Sequence, residues 1–322
     1  MSYHQTTRAL YREAALTPRP SLCCTPGPAF RLPGLDIPAE MQAMNYGCGT
    51  TVHIQDLSPE LDILYLGVGG GLEALQFAYF TRRPGSVIAL DPVAEMRERA
   101  RANLRLAEST NSWFRSEFVE ILNGDALDIP LPDARVDLVA QNCLFNIFTR
   151  EDLDRALSEA ARVLKPLGRL AVSDPICEQP IPERLRGDER LRAECLSGAL
   201  PLEEYVRRIV AAGFGTVEIR ARRPYRVLDR VRYGVAQDIL LETIEAVAVR
   251  TPVPEDGPCV FAGETVIYVG EDEKFDDGRG HVIQRDVPLS VCRKTAGRLR
   301  SLGRGDLIVT APTWHYAGGG CC

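Results

Sequence analysis

Hydrophobic residues recur along the middle of this chain in two alternating periods. Apolar runs of strand length predict β-strands at 62–67, 86–90, 118–122, 136–140 and 168–173. Between them, apolar positions three and four residues apart predict helices at 70–81, 93–107, 150–163 and 201–212. Gly168, after Lys165-Pro166, marks a turn from helix into strand, and the alternation from Thr216 to Arg220 predicts one strand more. Strands alternating with helices build a mostly parallel, doubly wound α/β sheet with helices on both faces.

The flanks break this rhythm. Thr6 to Leu16 has helical spacing, then Pro18, Pro20, Pro26, Pro28 and Pro33 interrupt regular structure. A short helix over Ile37 to Met44 leads into Asn45-Tyr46-Gly47-Cys48-Gly49. Residues 1–60 therefore read as a cysteine-containing lid segment, and 61–224 as the α/β domain. Residues 225–322 read as a small α+β domain. It has an apolar stretch over Leu240 to Val249, a strand over Val260 to Val269, and an exposed loop over Asp272 to Gly280. A short basic helix over Thr295 to Leu302 and a strand over Asp306 to Thr310 follow. From Trp314 the chain reads as a flexible tail ending in Gly-Gly-Gly-Cys-Cys322.

The first strand, Asp62-Ile63-Leu64-Tyr65-Leu66, stops abruptly in Gly67-Val68-Gly69-Gly70-Gly71, and helical spacing resumes at Leu72. A strand, a glycine turn and a helix start form a nucleotide-sized binding loop, where a Cβ would block close approach to the backbone. Asp91 ends the second strand about twenty residues on, the position from which an acid accepts hydrogen bonds from ribose hydroxyls. Asp125-Ala126 follows the third strand and is placed to contact an adenine. Gln141-Asn142-Cys143-Leu144-Phe145-Asn146 follows the fourth, at the mouth of the sheet. A dinucleotide dehydrogenase would carry Gly-x-Gly-x-x-Gly, but Leu72 stands where its last glycine belongs.

Composition narrows the partners. The net charge of −6 argues against a nucleic-acid surface, and no run approaches the ~20 apolar residues of a membrane span. The N-terminus lacks a basic start followed by an apolar core, so a cytoplasmic protein is expected. There the 10 cysteines are not a disulfide framework, and without Cys-x-x-Cys pairs they are not a zinc ribbon. Cys143 reads as a buried hydrophobe. His4, His53, His281 and His315 lie outside the strand-end loops and read as surface or packing residues, leaving no evident general base.

The ordered set of motifs over 61–175 resembles the Rossmann-like S-adenosylmethionine-dependent methyltransferases. Cysteines on either side sharpen the resemblance to arsenite S-adenosylmethionine methyltransferases. The matching pieces are Tyr11-Arg-Glu leading to Cys23-Cys24, Tyr46-Gly47-Cys48-Gly49, Gln141 to Asn146, Ser173-Asp174, Glu194-Cys195-Leu-Ser-Gly198-Ala199-Leu200, and Cys259 running on to Tyr268-Val-Gly270. The resemblance implies S-adenosylmethionine on Gly67, Gly69, Gly71, Asp91, Asp125, Ala126 and Asn142. It implies trivalent arsenic as the substrate of cysteine thiolates, with no metal cofactor. Cys48 and Cys195 match arsenic ligands, and Cys259 the third functional cysteine. Cys23 or Cys24 matches the reducing or shuttling cysteine. The arsenic lone pair would take the methyl group, and a disulfide closed by two cysteines would be reopened by glutathione or thioredoxin.

Two features depart from the family. Val260-Phe261 stands where an acidic pair usually follows the third cysteine, which leaves room for a substrate thiol such as glutathione. The Cys321-Cys322 terminus on its glycine tether is a candidate arsenite carrier and suggests an arsenosugar-pathway branch, with detoxification and organoarsenical synthesis both open as the role. Two other readings stand beside arsenic methylation: a methyltransferase of another thiophilic or small organic acceptor, and a non-catalytic metalloid-binding protein.

Overall fold

A computed structural model describes residues 2–19, 22 and 32–318 of the chain. Cys23, Cys24, Cys321 and Cys322 lie outside the described residues. In chain order the first elements are α1 (Tyr3–Leu16), α2 (Ala39–Ala43), β1 (Ile63–Leu66), α3 (Leu72–Thr81), β2 (Val87–Asp91) and α4 (Ala94–Thr110). Then come β3 (Val119–Asn123), β4 (Val136–Asn142), α5 (Arg150–Val163), β5 (Leu164–Cys177), α6 (Glu183–Arg186) and α7 (Glu189–Ala193). The chain continues through β6 (Leu200–Pro201), α8 (Leu202–Ala211), β7 (Thr216–Leu228), α9 (Arg230–Tyr233) and β8 (Ile239–Val249). The last elements are β9 (Cys259–Phe261), β10 (Glu264–Tyr268), β11 (Lys274–Asp276), β12 (Val282–Gln284), β13 (Leu289–Val291), α10 (Arg293–Ser301) and β14 (Leu307–Val309).

The main sheet runs β3-β2-β1-β4-β5-β8-β7-β9, with β6 paired to the end of β5. β3, β2, β1, β4 and β5 are mutually parallel, and β8 turns the sheet antiparallel against β5. β1 and β2 are central and buried on both faces, which is why they read as unbroken apolar runs rather than as alternation. α3 and α4 pack on one face with the N-terminal segment over them, and α5 and α8 cover the other. α3 is buried nearly all round, with N-terminal loop segments on its outer side: Thr51 N donates to Glu73 at 2.9 Å and Tyr79 OH to Pro33 O at 2.9 Å. α5 starts where the Thr149 hydroxyl accepts from the Asp152 N–H at 3.3 Å, with Glu151 and Asp152 in its first turn.

Beyond residue 224 the structure departs from the sequence pattern in four places. The expected division at 224/225 falls inside β7, and β8 from beyond it pairs along the same sheet. The strand expected over Val260 to Val269 is two strands, broken at Gly263, whose φ is 82°. A Cβ on Gly263 would meet Thr313 Oγ1 at 2.0 Å, so the C-terminal segment crosses there. Asp272 to Gly280, expected as a loop, carries β11, which pairs with β12. Trp314, expected in a flexible tail, is anchored: its N–H donates to Ala262 O at 2.8 Å, and Arg222 lies 4.9 Å from its ring centre.

Candidate functional site

The strand order reverses between β1 and β4, so the crevice beyond their C-terminal ends is where an α/β sheet takes its ligand. A pocket occupies that place. Gly67 to Gly70, Asp91, Asp125, Ala126 and Asn142 line it from the sheet, and Tyr3, Thr7, Arg8 and Tyr11 of α1 line it from above. Gly67 and Gly69 take φ of 79° and 51°, the left-handed region that favours glycine. An added Cβ would meet nothing closer than 3.8 Å at Gly67 and 4.0 Å at Gly69, so bare backbone faces open space. Gly71 does not line the pocket; it caps the N-terminus of α3 with φ of 87°.

Asp91 is buried at the pocket floor, with one carboxylate oxygen accepting from the Val93 N–H at 2.8 Å. Burial pushes its pKa up to about 6, against the backbone N–H groups of Val93, Val68 and Gly69, which favour the ionised form. Asp125 accepts from Leu127 N at 3.1 Å and pairs with Arg8 of α1 at 3.0 Å across the pocket mouth. Arg12 pairs with Glu95 at 2.7 Å, and His4 with Asp152 at 3.1 Å. α1 is therefore strapped over the opening by polar links at its rim. Asn142 turns its amide towards the cysteine loop: Oδ1 accepts from Cys48 N at 2.9 Å and Nδ2 donates to Gly49 O at 2.8 Å.

Beside the pocket, Cys48, Cys143 and Cys195 share one buried cluster with Ile147, walled by Tyr3, Tyr11, Leu144 and Tyr225. Cys143 also lines the pocket itself. The Cys48 thiol lies 3.5 Å from Ser173 Oγ, the Cys195 thiol donates to Cys143 O at 3.2 Å, and Asn146 Nδ2 donates to Cys143 Sγ at 3.7 Å. Burial pushes the Cys48 thiol up, so it is protonated at neutral pH. Cys143 and Cys195 sit at φ of 63° and 60°, a left-handed backbone that costs a non-glycine residue energy and that clusters at functional sites. Next to them, Asp174 is fully buried and accepts from Tyr205 OH at 2.6 Å and Asn146 Nδ2 at 2.9 Å. Burial lifts its pKa to about 7.

Among the candidate cysteines read from the sequence, the fold brings Cys48 and Cys195 together and keeps Cys259 away. β9 is the edge strand at the far end of the sheet, four strand spacings from β4, or roughly 19 Å. There Cys259 packs with Phe261, Cys292 and Tyr316. Cys143 takes the third place in the cluster. Its signal lay in its position, in the strand-end loop beside Asn142, more than in its residue type. The helix residues Tyr3 and Thr7, and Glu73 after the glycines, also line the pocket without having been singled out, and Tyr11, read only as part of the Tyr11-Arg-Glu piece, lines it too. Among the described residues no group of three His, Cys, Asp or Glu is arranged to hold a metal ion.

Sheet order, glycine turn and strand-end acids together define a Rossmann-like methyltransferase fold, and residues 64–172 match the family described as Methyltransferase domain. The resemblance to arsenite methyltransferases is borne out by the relatives. The arsenite methyltransferase of Aquipseudomonas alcaligenes is 32% identical over 65% of this chain and 60% of its own length. That of Halobacterium salinarum is 30% identical over 55% of this chain and 43% of its own. The chain thus spans less than two thirds of the length of these curated relatives. The crystal structure of CrArsM, an arsenic(III) S-adenosylmethionine methyltransferase from Chlamydomonas reinhardtii, superposes with a TM-score of 0.62 at 24% identity. It covers 91% of this chain and 99% of that one, so the common fold extends well beyond the methyltransferase core.

Proposed function

We infer that this protein methylates trivalent arsenic held by cysteine thiols, with S-adenosylmethionine as the methyl donor. The observation that carries the reading is the gathering of Cys48, Cys143 and Cys195 against a pocket whose floor is bare glycine backbone. S-adenosylmethionine would supply an electrophilic methyl group. Gly67 and Gly69 leave room for its backbone-facing portion, and the buried Asp91 carboxylate retains acceptor capacity for ribose hydroxyls. Asp125 and Ala126 stand on the adenine side, and α1 serves as the lid that keeps water out.

The thiols need no general base to load arsenite. Each As–OH group exchanges for As–S as a thiol proton leaves with the hydroxyl as water, so loading on three cysteines releases three waters. Thiolates are soft ligands suited to a soft centre. Cys143 and Cys195 reach the cluster from separate loops, each on left-handed backbone, and join Cys48 there. After methyl transfer, two cysteines can return electrons to the oxidised arsenic product by closing a disulfide, which glutathione or thioredoxin would reopen. Cys259 has no place in this set.

Incubation with arsenite, S-adenosylmethionine and thiol, followed by arsenic speciation, tests the reading. Methylated arsenic is expected from the intact chain and not from Cys48→Ser, Cys143→Ser or Cys195→Ser. Full activity in all three variants would overturn it.

A further inference from the structure

Glu73 occupies the first turn of α3, two residues after the glycine loop, and its carboxylate is buried in the pocket wall. A buried carboxylate is costly unless several donors face it. Five do. Thr51 N and Thr51 Oγ1 each donate at 2.9 Å, Thr50 Oγ1 and Asn142 Nδ2 at 3.2 Å, and the Tyr65 hydroxyl also hydrogen-bonds to it.

These donors belong to three different parts of the site. Thr50 and Thr51 continue the loop that carries Cys48. Asn142 ends β4 beside Cys143, and grips Cys48 N and Gly49 O with the rest of its amide. Tyr65 lies on β1, just before the glycine turn. Close packing leaves the cysteine loop little slack. A Cβ on Gly47 would stand 2.4 Å from Asn142 Nδ2, and one on Gly49 would stand 2.6 Å from Ser173 Oγ. The carboxylate is therefore the common acceptor through which the donor-loop helix, the Asn142 strand end and the Cys48 loop meet.

We propose that Glu73 is a positioning residue that holds the Cys48 thiol in register with the methyl-donor loop. It acts through Thr51 and Asn142 and takes no part in bond making. Its consequence for methyl transfer rests on the arsenic reading above; its hold on the Cys48 loop does not. Cys48 is buried, so an alkylating reagent reaches its thiol only when the loop opens, and the alkylation rate reports that opening.

The test is site-resolved mass spectrometry of iodoacetamide labelling on the full chain, with Glu73→Ala, Glu73→Gln and Thr51→Val compared with the unaltered protein. Removing the shared acceptor in E73A is expected to raise Cys48 labelling roughly tenfold or more, while Cys143 and Cys195 change less than about twofold. E73Q keeps the Oε1 acceptor and is expected to restore part of the protection, and Thr51→Val to give a smaller, Cys48-selective rise. In the methylation assay E73A is expected to lower kcat with little change in the KM for the donor. Unchanged Cys48 labelling in both E73A and Thr51→Val would overturn the proposal, and so would an equal rise at all three cysteines in both. Weakened donor binding with Cys48 still protected would also overturn it, by making Glu73 a donor contact. If the intact protein methylates no arsenic, the reading above fails while the labelling result still decides this one.

Discussion

Two clusters of buried cysteines lie on the same sheet, one beside central β4 and the other at edge strand β9, and the contrast between them is instructive. Cys259 and Cys292 sit with Phe261 and Tyr316 beneath the C-terminal segment, far from the glycine turn. Cys48, Cys143 and Cys195 sit beside the pocket at the reversal of strand order. Burial does not distinguish the two groups, since all five are inaccessible. Backbone and neighbours do. Two members of the pocket cluster hold left-handed φ, and the cluster adjoins a buried carboxyl and an open pocket; the edge-strand pair has regular β and helix-cap geometry. Free cysteine packs well as a small hydrophobe, so setting rather than residue type is what sets the proposed arsenic ligands apart.

The largest expected effect is the most direct test of that contrast. On the proposed arsenic chemistry, serine at Cys48, Cys143 or Cys195 should lower arsenic methylation by roughly a hundredfold or more, while Cys259→Ser should stay within about threefold. Speciation of the arsenic products reads both. Equal losses at Cys143 and Cys259 would erase the distinction between the clusters.

Replacing Asp91 with alanine removes a buried acceptor and should weaken donor binding by about ten- to a hundredfold in a calorimetric titration, with thiol labelling at Cys143 unaltered. A related effect appears with pH. Because burial raises the Asp91 pKa to about 6, protonation below that value removes the ionised acceptor. Donor affinity should be flat above about pH 6 and fall by up to tenfold per unit below it. Asp91→Asn, which cannot titrate, should lose the pH dependence.

The smallest effect concerns the lid. Arg8–Asp125 and Arg12–Glu95 are partly exposed pairs, so each contributes little and is screened by salt. Arg8→Ala should speed donor release by no more than about fivefold, and the difference should shrink as ionic strength rises. Stopped-flow release of the donor measures it.

Legibility followed the distance over which each feature is encoded. β1 through β4 and helices α3 to α5 lie within three residues of their sequence-read limits, with α5 matching at both ends; β5 starts four residues before the expected 168–173 and ends four after it, with Gly168, read as the turn, inside the strand. Gly67, Gly69, Asp91, Asp125 and Ala126 line the pocket as their places at strand ends implied. Asn142 also lines it, but spends its amide on the Cys48 loop, a pairing between residues far apart in sequence. The C-terminal third was harder to read. β8 shows no alternation because it is buried on both faces, and β11 is a short charged strand whose pairing with β12 carries little hydrophobic signal.

The chain by itself determined the glycine-turn half of the pocket. A strand, a glycine turn and the acid on the next strand are local features, and the right-handed βα crossover leaves them little choice but to meet at one end of the sheet. Only the tertiary structure decided which cysteines share a site. Ten thiols look alike in a sequence, and nothing local relates Cys48 to Cys143 or Cys195. Their meeting depends on how the N-terminal loop packs against β4 and how the turn after α7 folds back under it. Those long-range contacts put Cys143 in the cluster and Cys259 at the far edge.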